Sequence, residues 1–135
     1  NGKTAREFAL MIEQCEEELK LASPIAITVG QRLTTARLAF VSAIDHILEN
    51  GRNEPTAAYG ASVPFLMLAG NLVSGWQLAR SLLAAEAALE RGDDPQFMRA
   101  KISCAHFYAD HILTDTERQR TLITQGADSL RNAMF

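Results

Sequence analysis

The longest uncharged stretch of the chain, residues 55–79, is the feature that most constrains how the chain can fold. Its 25 residues contain no Asp, Glu, Lys or Arg, so a helix of this length is long enough to span a bilayer. The stretch also contains Pro64 and three glycines. Asn71, Ser74 and Gln77 recur at every third position, which places a polar stripe along a helix. This pattern favours a buried central helix with one wetter edge, and we expect no membrane span.

Turn residues divide the remainder of the chain into helical segments. Ser23-Pro24 predicts an N-cap followed by proline in the first helical turn, and Asn50-Gly51 predicts the end of that helix. Gly92 predicts the end of the central helix, and Asp94-Pro95 predicts the start of the next one. The chain therefore reads as a series of helices joined by short connections.

The central helix and the last helix each carry an irregularity. Pro64 removes a backbone donor and would clash with the carbonyl four residues earlier, so we expect a kink or a new helix start at 60–64. Thr114 and Glu117 have the spacing of a capping box. They predict a last helix that begins there, runs to about Gln125 and is followed by a short tail.

Apolar residues between these signals recur every three or four positions, as they do on one face of a helix. No window alternates as a half-buried strand would, and "AITV" at 26–29 is the only β-branched candidate for a strand. We therefore predict an all-α fold, an antiparallel bundle of four to five helices with a long, kinked, apolar central helix, forming one domain over residues 1–135. The predicted buried stripes are Phe8, Met11, Ile12, Cys15 and Leu19; Val29, Leu33, Ala36, Phe40, Ile44 and Ile47; and Met98, Ile102, Ala105, Ala109 and Ile112.

Small residues in the central helix predict close packing against its neighbours. Gly70 with Ser74, and Gly75 with Ala79, stand one turn apart, and such pairs let neighbouring backbones approach closely. Trp76, the only tryptophan, is expected to fill the space beside them.

Composition excludes several classes of partner. The net charge is −3 and the isoelectric point is about 5.6, so neither nucleic acid nor an anionic membrane is an expected partner. Two cysteines do not make a disulfide framework, and the first residues do not resemble a targeting peptide. We expect a cytoplasmic protein with reduced cysteines. A first residue other than methionine suggests a domain excised from a longer protein.

The segment "CAHFYADH" at 104–111 collects the residue types of metal and catalytic sites. On a helix, His106 faces about 160° away from Cys104, and His111 lies roughly 10 Å farther along the axis. Zinc needs its ligands around one point, so these three side chains cannot share a metal. His106 and Asp110 are four residues apart and can pair on one face. We expect an ordinary helix with a buried Cys104.

The segments "PFLMLAGNLVSGWQLAR" (64–80), "FMRAKISCAHFYADHIL" (97–113) and "GADSL" (126–130) together resemble a known family. That family is the extra C-terminal domain of one branch of acyl-CoA dehydrogenases, a branch that includes enzymes resembling methylmercaptopropionyl-CoA dehydrogenase. "PFLMLAGNLVSGWQLAR" (64–80) resembles the central helix of that domain, with matches at Pro64, Gly70, Gly75, Trp76, Leu78, Ala79 and Arg80. "FMRAKISCAHFYADHIL" (97–113) resembles its next helix, with matches at Phe97, Ala100, Lys101, Ala105, Phe107, Tyr108, His111 and Leu113. "GADSL" (126–130) looks like its closing segment. A proline expected just after Leu113 is replaced by Thr114-Asp115.

The resemblance implies a noncatalytic domain of an FAD-dependent acyl-CoA dehydrogenase, which abstracts an α-proton and passes the β-hydride to flavin. The flavin, the acyl-CoA and the catalytic glutamate belong to the preceding domains, so we expect no cofactor, metal or catalytic residue in this chain. The expected partners are the remainder of the parent enzyme and a neighbouring subunit, as in a homo-oligomer, with a role in packing, oligomer contacts or covering the substrate entrance. The candidate seam or packing positions are Gly70, Gly75, Trp76, Arg80, Lys101, Tyr108 and His111.

A free-standing helical binding module is the alternative interpretation. In that case Phe65, Met67 and Trp76 would line an apolar groove for a partner helix or an acyl chain. The simpler interpretation, which we favour, is that these residues form the core of the bundle.

Overall fold

The computed structural model describes residues 1–133, and its regular elements in that range are all helical. Four long helices are followed by a 3₁₀ turn and two shorter helices, and together they pack as a bundle. The predicted all-α class and helical bundle are confirmed. The elements are α1 (Lys3–Lys20), α2 (Pro24–Asn50), α3 (Pro55–Glu90), α4 (Pro95–His111), the 3₁₀ turn (Leu113–Asp115), α5 (Thr116–Gln125) and α6 (Ala127–Arg131).

The helix boundaries predicted from turn residues are confirmed. The Ser23 hydroxyl accepts a hydrogen bond from the backbone N–H of Ala26 at 3.1 Å and so caps α2. The Asp94 carboxylate accepts from the N–H of Phe97 at 3.3 Å and caps α4 in the same way. Gly92 has a φ of +80°, a left-handed conformation that suits glycine just beyond a helix end.

The central helix α3 is long and kinked, as predicted. It begins at Pro55 and continues through Pro64, so the expected kink is confirmed and a new start at 60–64 is wrong. By length and composition it is apolar enough to cross a membrane, yet one of its faces packs against α1, α2, α4, α5 and α6. The residues buried on that face are Ala61, Leu68, Leu72, Gly75, Ala79, Leu82, Ala85 and Ala88.

The junction after α4 differs from the predicted capping box. The Thr114 hydroxyl donates to the carbonyl of Asp110 at 3.0 Å instead of capping a new helix, because the last carbonyls of α4 lack helical partners. A 3₁₀ turn follows, and α5 starts at Thr116 without a side-chain cap. Its predicted end at Gln125 is confirmed, but α6 replaces the expected tail, and Arg131 of α6 pairs with Glu54.

An aromatic cluster joins the first three helices. Phe8 of α1 meets Phe40 of α2 edge-on with ring centroids 5.8 Å apart, and it meets Trp76 of α3 at 5.5 Å. Phe65 of α3 stacks on Phe40 at 5.7 Å. These geometries are the favoured ones for aromatic pairs. Each pair stabilises the fold by about 0.5–1.5 kcal/mol beyond the contribution of its buried apolar area. The cluster therefore fixes α3 against the α1–α2 pair.

A buried carboxylate fastens α1 to α2. Glu16 is 2% exposed and accepts hydrogen bonds from the Arg37 guanidinium and the Thr34 hydroxyl. The hydrogen bond to Glu16 raises the pKa of Arg37 above its ordinary value. A buried charge is tolerated only when it is paired and hydrogen-bonded, and here Glu16 of α1 meets that condition through contacts with α2.

Candidate functional site

The segment at 104–111 forms the C-terminal part of α4 and contains a bridge to another helix. His106 Nε2 lies 3.3 Å from a carboxylate oxygen of Asp110, which confirms the predicted pair. The second carboxylate oxygen accepts a hydrogen bond from Arg32 Nε of α2 at 3.2 Å. Asp110 therefore links α4 to α2 through Arg32, and it also pairs with His106 on its own helix. Across residues 1–133, no group of three His, Cys, Asp or Glu residues is placed to hold a metal ion.

The two cysteines occupy opposite environments. The expectation of a buried Cys104 is wrong, because Cys104 is exposed and α4 buries Ala105 and Ala109 instead. One step along a helix turns a side chain by about 100°, which is enough to move Cys104 out of the core. Cys15 of α1 is the buried cysteine. Burial, together with Glu18 nearby, raises the pKa of its thiol from 9.0 to about 11.

The two glycines proposed as packing positions on α3 face different ways. Gly75 is buried, and a Cβ placed there would lie 2.6 Å from Cδ2 of Leu113, so the 3₁₀ turn packs directly on the backbone of α3. Gly70 is exposed, and a Cβ there would meet nothing within 4 Å. The Gly70–Ser74 pair therefore does not bring a neighbouring helix close within this bundle, contrary to expectation.

Trp76 and Arg80 lie beside a cleft between α1 and α3. Trp76 is half-buried, and the Arg80 guanidinium stands 5.5 Å from the centroid of its ring, a cation–π geometry. Arg80 is exposed and also donates to the side-chain oxygen of Gln77 at 3.2 Å. Met11 and Glu18 form the opposite wall of the cleft.

The three candidates on α4 differ in exposure and in their contacts. Lys101 is exposed, and its ammonium lies 5.3 Å from the ring centroid of Phe97. His111 is exposed and stacks on Phe107 with centroids 4.4 Å apart. Tyr108 is half-buried, and its hydroxyl donates to a backbone carbonyl of α3 at 3.4 Å. The seven candidate positions therefore do not converge on one site, and their role in a domain seam stays a prediction.

The groove imagined for a free-standing binding module does not form. Phe65 and Trp76 pack against the core through the aromatic cluster. Met67 is 53% exposed and lies on the other side of α3, since two residues along a helix correspond to about 200°. The three side chains cannot line one groove.

The predicted wetter edge of α3 exists in part. Ser74 and Gln77 are exposed, whereas Asn71 is half-buried and donates to the side-chain oxygen of the buried Gln119 at 3.4 Å. Asn71 therefore contacts α5 inside the bundle. A residue spacing of three does not distinguish a polar side chain facing water from one facing a buried polar partner.

The largest feature that the sequence patterns did not reveal is an exposed apolar face on the first half of α3. Its side chains follow the spacing of one helical stripe and point away from the bundle core. A signal was present, because residues 55–79 carry no charge even at positions that face water. We call the following residues the outer face of α3: Tyr59, Val63, Leu66, Met67, Gly70 and Val73.

Known proteins resemble this chain, one family and one relative over nearly its whole length and a second relative over a shorter segment. The family described as acetyl-CoA dehydrogenase C-terminal like matches residues 8–133. The chain is 46% identical over 132 residues to 3-methylmercaptopropionyl-CoA dehydrogenase of Ruegeria pomeroyi, covering 98% of the chain and 22% of that protein. It is 42% identical over 55 residues to the broad-specificity linear acyl-CoA dehydrogenase FadE5 of Mycobacterium tuberculosis, covering 38% of the chain and 9% of that protein.

The chain therefore spans less than a quarter of the length of these two relatives. Its helical bundle and its similarity over residues 8–133 agree with the resemblance seen in the two helical segments. The chain belongs to the acetyl-CoA dehydrogenase C-terminal like family.

Proposed function

We propose that residues 1–135 are a single helical domain from the C-terminus of a longer, FAD-dependent acyl-CoA dehydrogenase, and that this domain is not catalytic. The remainder of that enzyme would carry out the α,β-dehydrogenation of an acyl-CoA thioester. The observation that supports this proposal is the asymmetry of the match, which covers 98% of the chain but only 22% of the Ruegeria relative. The domain would serve in packing, in oligomer contacts or as cover for the substrate entrance.

The linings of two clefts within residues 1–133 support placing FAD elsewhere in the enzyme. One cleft, at the end formed by α3 and the α1–α2 connection, is lined by apolar residues, Ser23 and the carboxylates of Glu86 and Glu90. The pyrophosphate of FAD is anionic and would be repelled by these carboxylates. The cleft beside Trp76 contains Glu18 opposite Arg80. FAD and the acyl-CoA are therefore assigned to the remainder of the enzyme, together with the catalytic base.

The proposed partners follow from the same assignment. They are the remainder of the polypeptide and a neighbouring subunit of a homo-oligomer, in the cytoplasm. A net charge of −3 does not favour nucleic acid as a partner.

A comparison of two purified proteins tests the proposed function. We expect the longer protein that contains this chain to carry bound flavin and to oxidise acyl-CoA in a dye-linked assay. We expect the 135-residue chain alone to show neither property, because the proposal assigns both ligands and the catalytic base to the remainder of the enzyme. Acyl-CoA oxidation by the chain alone, or a longer protein without flavin and activity, would contradict the proposal. An established acyl-CoA dehydrogenase serves as the positive control.

A further inference from the structure

The outer face of α3 is apolar although it faces water. Tyr59 is 79% exposed, Val63 67% and Leu66 70%. Met67 and Val73 are 53% and 39% exposed. A helix at the surface of a soluble bundle normally carries polar and charged residues on its water side, so five large apolar side chains in one stripe require an explanation.

Packing within the bundle does not provide that explanation. Only 17% of the most apolar 18-residue window of α3 is buried. The leucines and alanines of the buried face already satisfy the contacts with the neighbouring helices. A contiguous exposed apolar patch on a soluble domain marks an interaction site.

The chemistry of the outer face restricts what can cover it. Residues 55–79 contain no charged side chain, so the face offers no partner to a phosphate, a carboxylate or an anionic lipid headgroup. Gly70 lies in the middle of the stripe and leaves open space around its Cα. Another backbone can therefore approach α3 closely at this position. These features fit an apolar, uncharged protein surface that lies along the helix.

We infer that the outer face of α3 docks on an apolar surface of the dehydrogenase portion of the same polypeptide, an inference that rests on the proposed function. More than three quarters of the Ruegeria relative lies outside the match to this chain, and that portion supplies the surface. A surface on the same polypeptide is present at a high effective concentration, on the order of millimolar for short flexible linkers. A second copy of α3 has no such advantage.

Site-specific cross-linking in the longer protein tests this docking. A photoreactive amino acid replaces Leu66 on the outer face, and in a control protein it replaces Thr35, an exposed residue of α2. Illumination in the presence of phosphatidylcholine vesicles is followed by peptide mapping. We expect Leu66, but not Thr35, to cross-link to the dehydrogenase portion of the same polypeptide. Cross-links to α3 of a second copy, cross-links to lipid, or no yield above the Thr35 control would each overturn the inference.

A pair of substitutions provides an independent measurement. Leu66→Glu is compared with Leu38→Glu, because Leu38 is also an exposed leucine on a helix, at 55%, but lies on α2. In the longer protein we expect Leu66→Glu to lower the melting temperature by about 3 °C or more, whereas Leu38→Glu leaves it within about 1 °C. In the 135-residue chain alone, neither substitution should change the melting temperature by more than about 1 °C. Equal effects of the two substitutions in the longer protein would overturn the docking.

Measurements on the same longer protein distinguish a failure of the proposed function from a failure of the proposed docking. Flavin content and acyl-CoA oxidation are measured on the same longer protein before illumination. Activity without the Leu66 cross-link overturns the docking alone. The cross-link without flavin or activity overturns the proposed function and leaves the docking in place.

Discussion

The two cysteines show how much a single step along a helix decides at the residue scale. Cys15 belongs to the buried face of α1, together with Ile12 and Leu19, and burial raises its pKa to about 11. Cys104 stands beside the buried Ala105 but faces water. Only the thiolate form of cysteine is a nucleophile. Cys15 is therefore protected from reagents because it is buried and because little of it is in the thiolate form. Cys104 lies at the surface, where a reagent can reach it.

Thiol labelling of the native chain checks this difference. At pH 8 we expect one fast-reacting thiol, Cys104, and a second thiol that reacts only after denaturation, Cys15. Replacing Cys104 by serine should abolish the fast phase, and replacing Cys15 by alanine should leave it intact. The measurement is the absorbance released from a disulfide reagent under native and denaturing conditions. A fast phase that persists in the Cys104→Ser variant would show that Cys15 is accessible.

The helix α3 is the element on which both the fold and the proposed docking depend. Its inner face, with Gly75 against Leu113, closes the bundle, and its outer face exposes apolar side chains along the first half. Pro64 interrupts the backbone hydrogen bonding within this helix, which nevertheless continues to Glu90. Packing on five other helices compensates for the bond that proline removes.

Substituting the two glycines of α3 separates the roles of its faces. In the 135-residue chain we expect Gly75→Leu to lower the free energy of unfolding by about 1–3 kcal/mol, because the new side chain overpacks against the buried Leu113. The matched variant Gly70→Leu should raise that free energy by up to about 1 kcal/mol, since leucine favours a helix over glycine and finds open space there. Urea denaturation of both variants measures the difference. Equal effects at the two positions would contradict the assignment of faces.

Within residues 1–133, five of the helices share one hydrophobic core. Buried residues from α1 to α5 form a single hydrophobic cluster, and Trp76 packs against it. A small domain with one shared core is expected to unfold as a single unit. The buried Glu16–Arg37 pair and the bridge from Asp110 to Arg32 add long-range links between helices.

Cooperative unfolding is the consequence that can be measured at this scale. Trp76 fluorescence reports the packing of α3 against α1, and far-ultraviolet circular dichroism reports the helix content of the whole chain. We expect the two signals to give the same urea midpoint and the same slope, as a two-state transition requires. Two resolved midpoints would show that the helices around Trp76 unfold separately from the others, against the single-core interpretation.

The amino-acid sequence alone determined the helices and most of their boundaries, because these depend on local chemistry. Ser23 and Asp94 cap helices with their own side chains. A three-to-four residue period marks most of the buried stripes, although Met11 of the predicted α1 stripe is 50% exposed. The order and spacing of three segments, at 64–80, 97–113 and 126–130, also indicated the family whose model matches residues 8–133.

The tertiary structure decided whether side chains at the edge of a buried stripe face the core or the solvent. That orientation depends on neighbouring helices that are distant in sequence. Asn71 points to the buried Gln119 of α5 and not to water, and Cys104 misses the core that receives Ala105. Most of all, only the packed bundle separates the apolar residues of α3 into a covered inner face and an exposed outer face. Periodicity cannot make that separation where nearly every residue of a helix is apolar, since the few polar residues mark only part of the side that faces water.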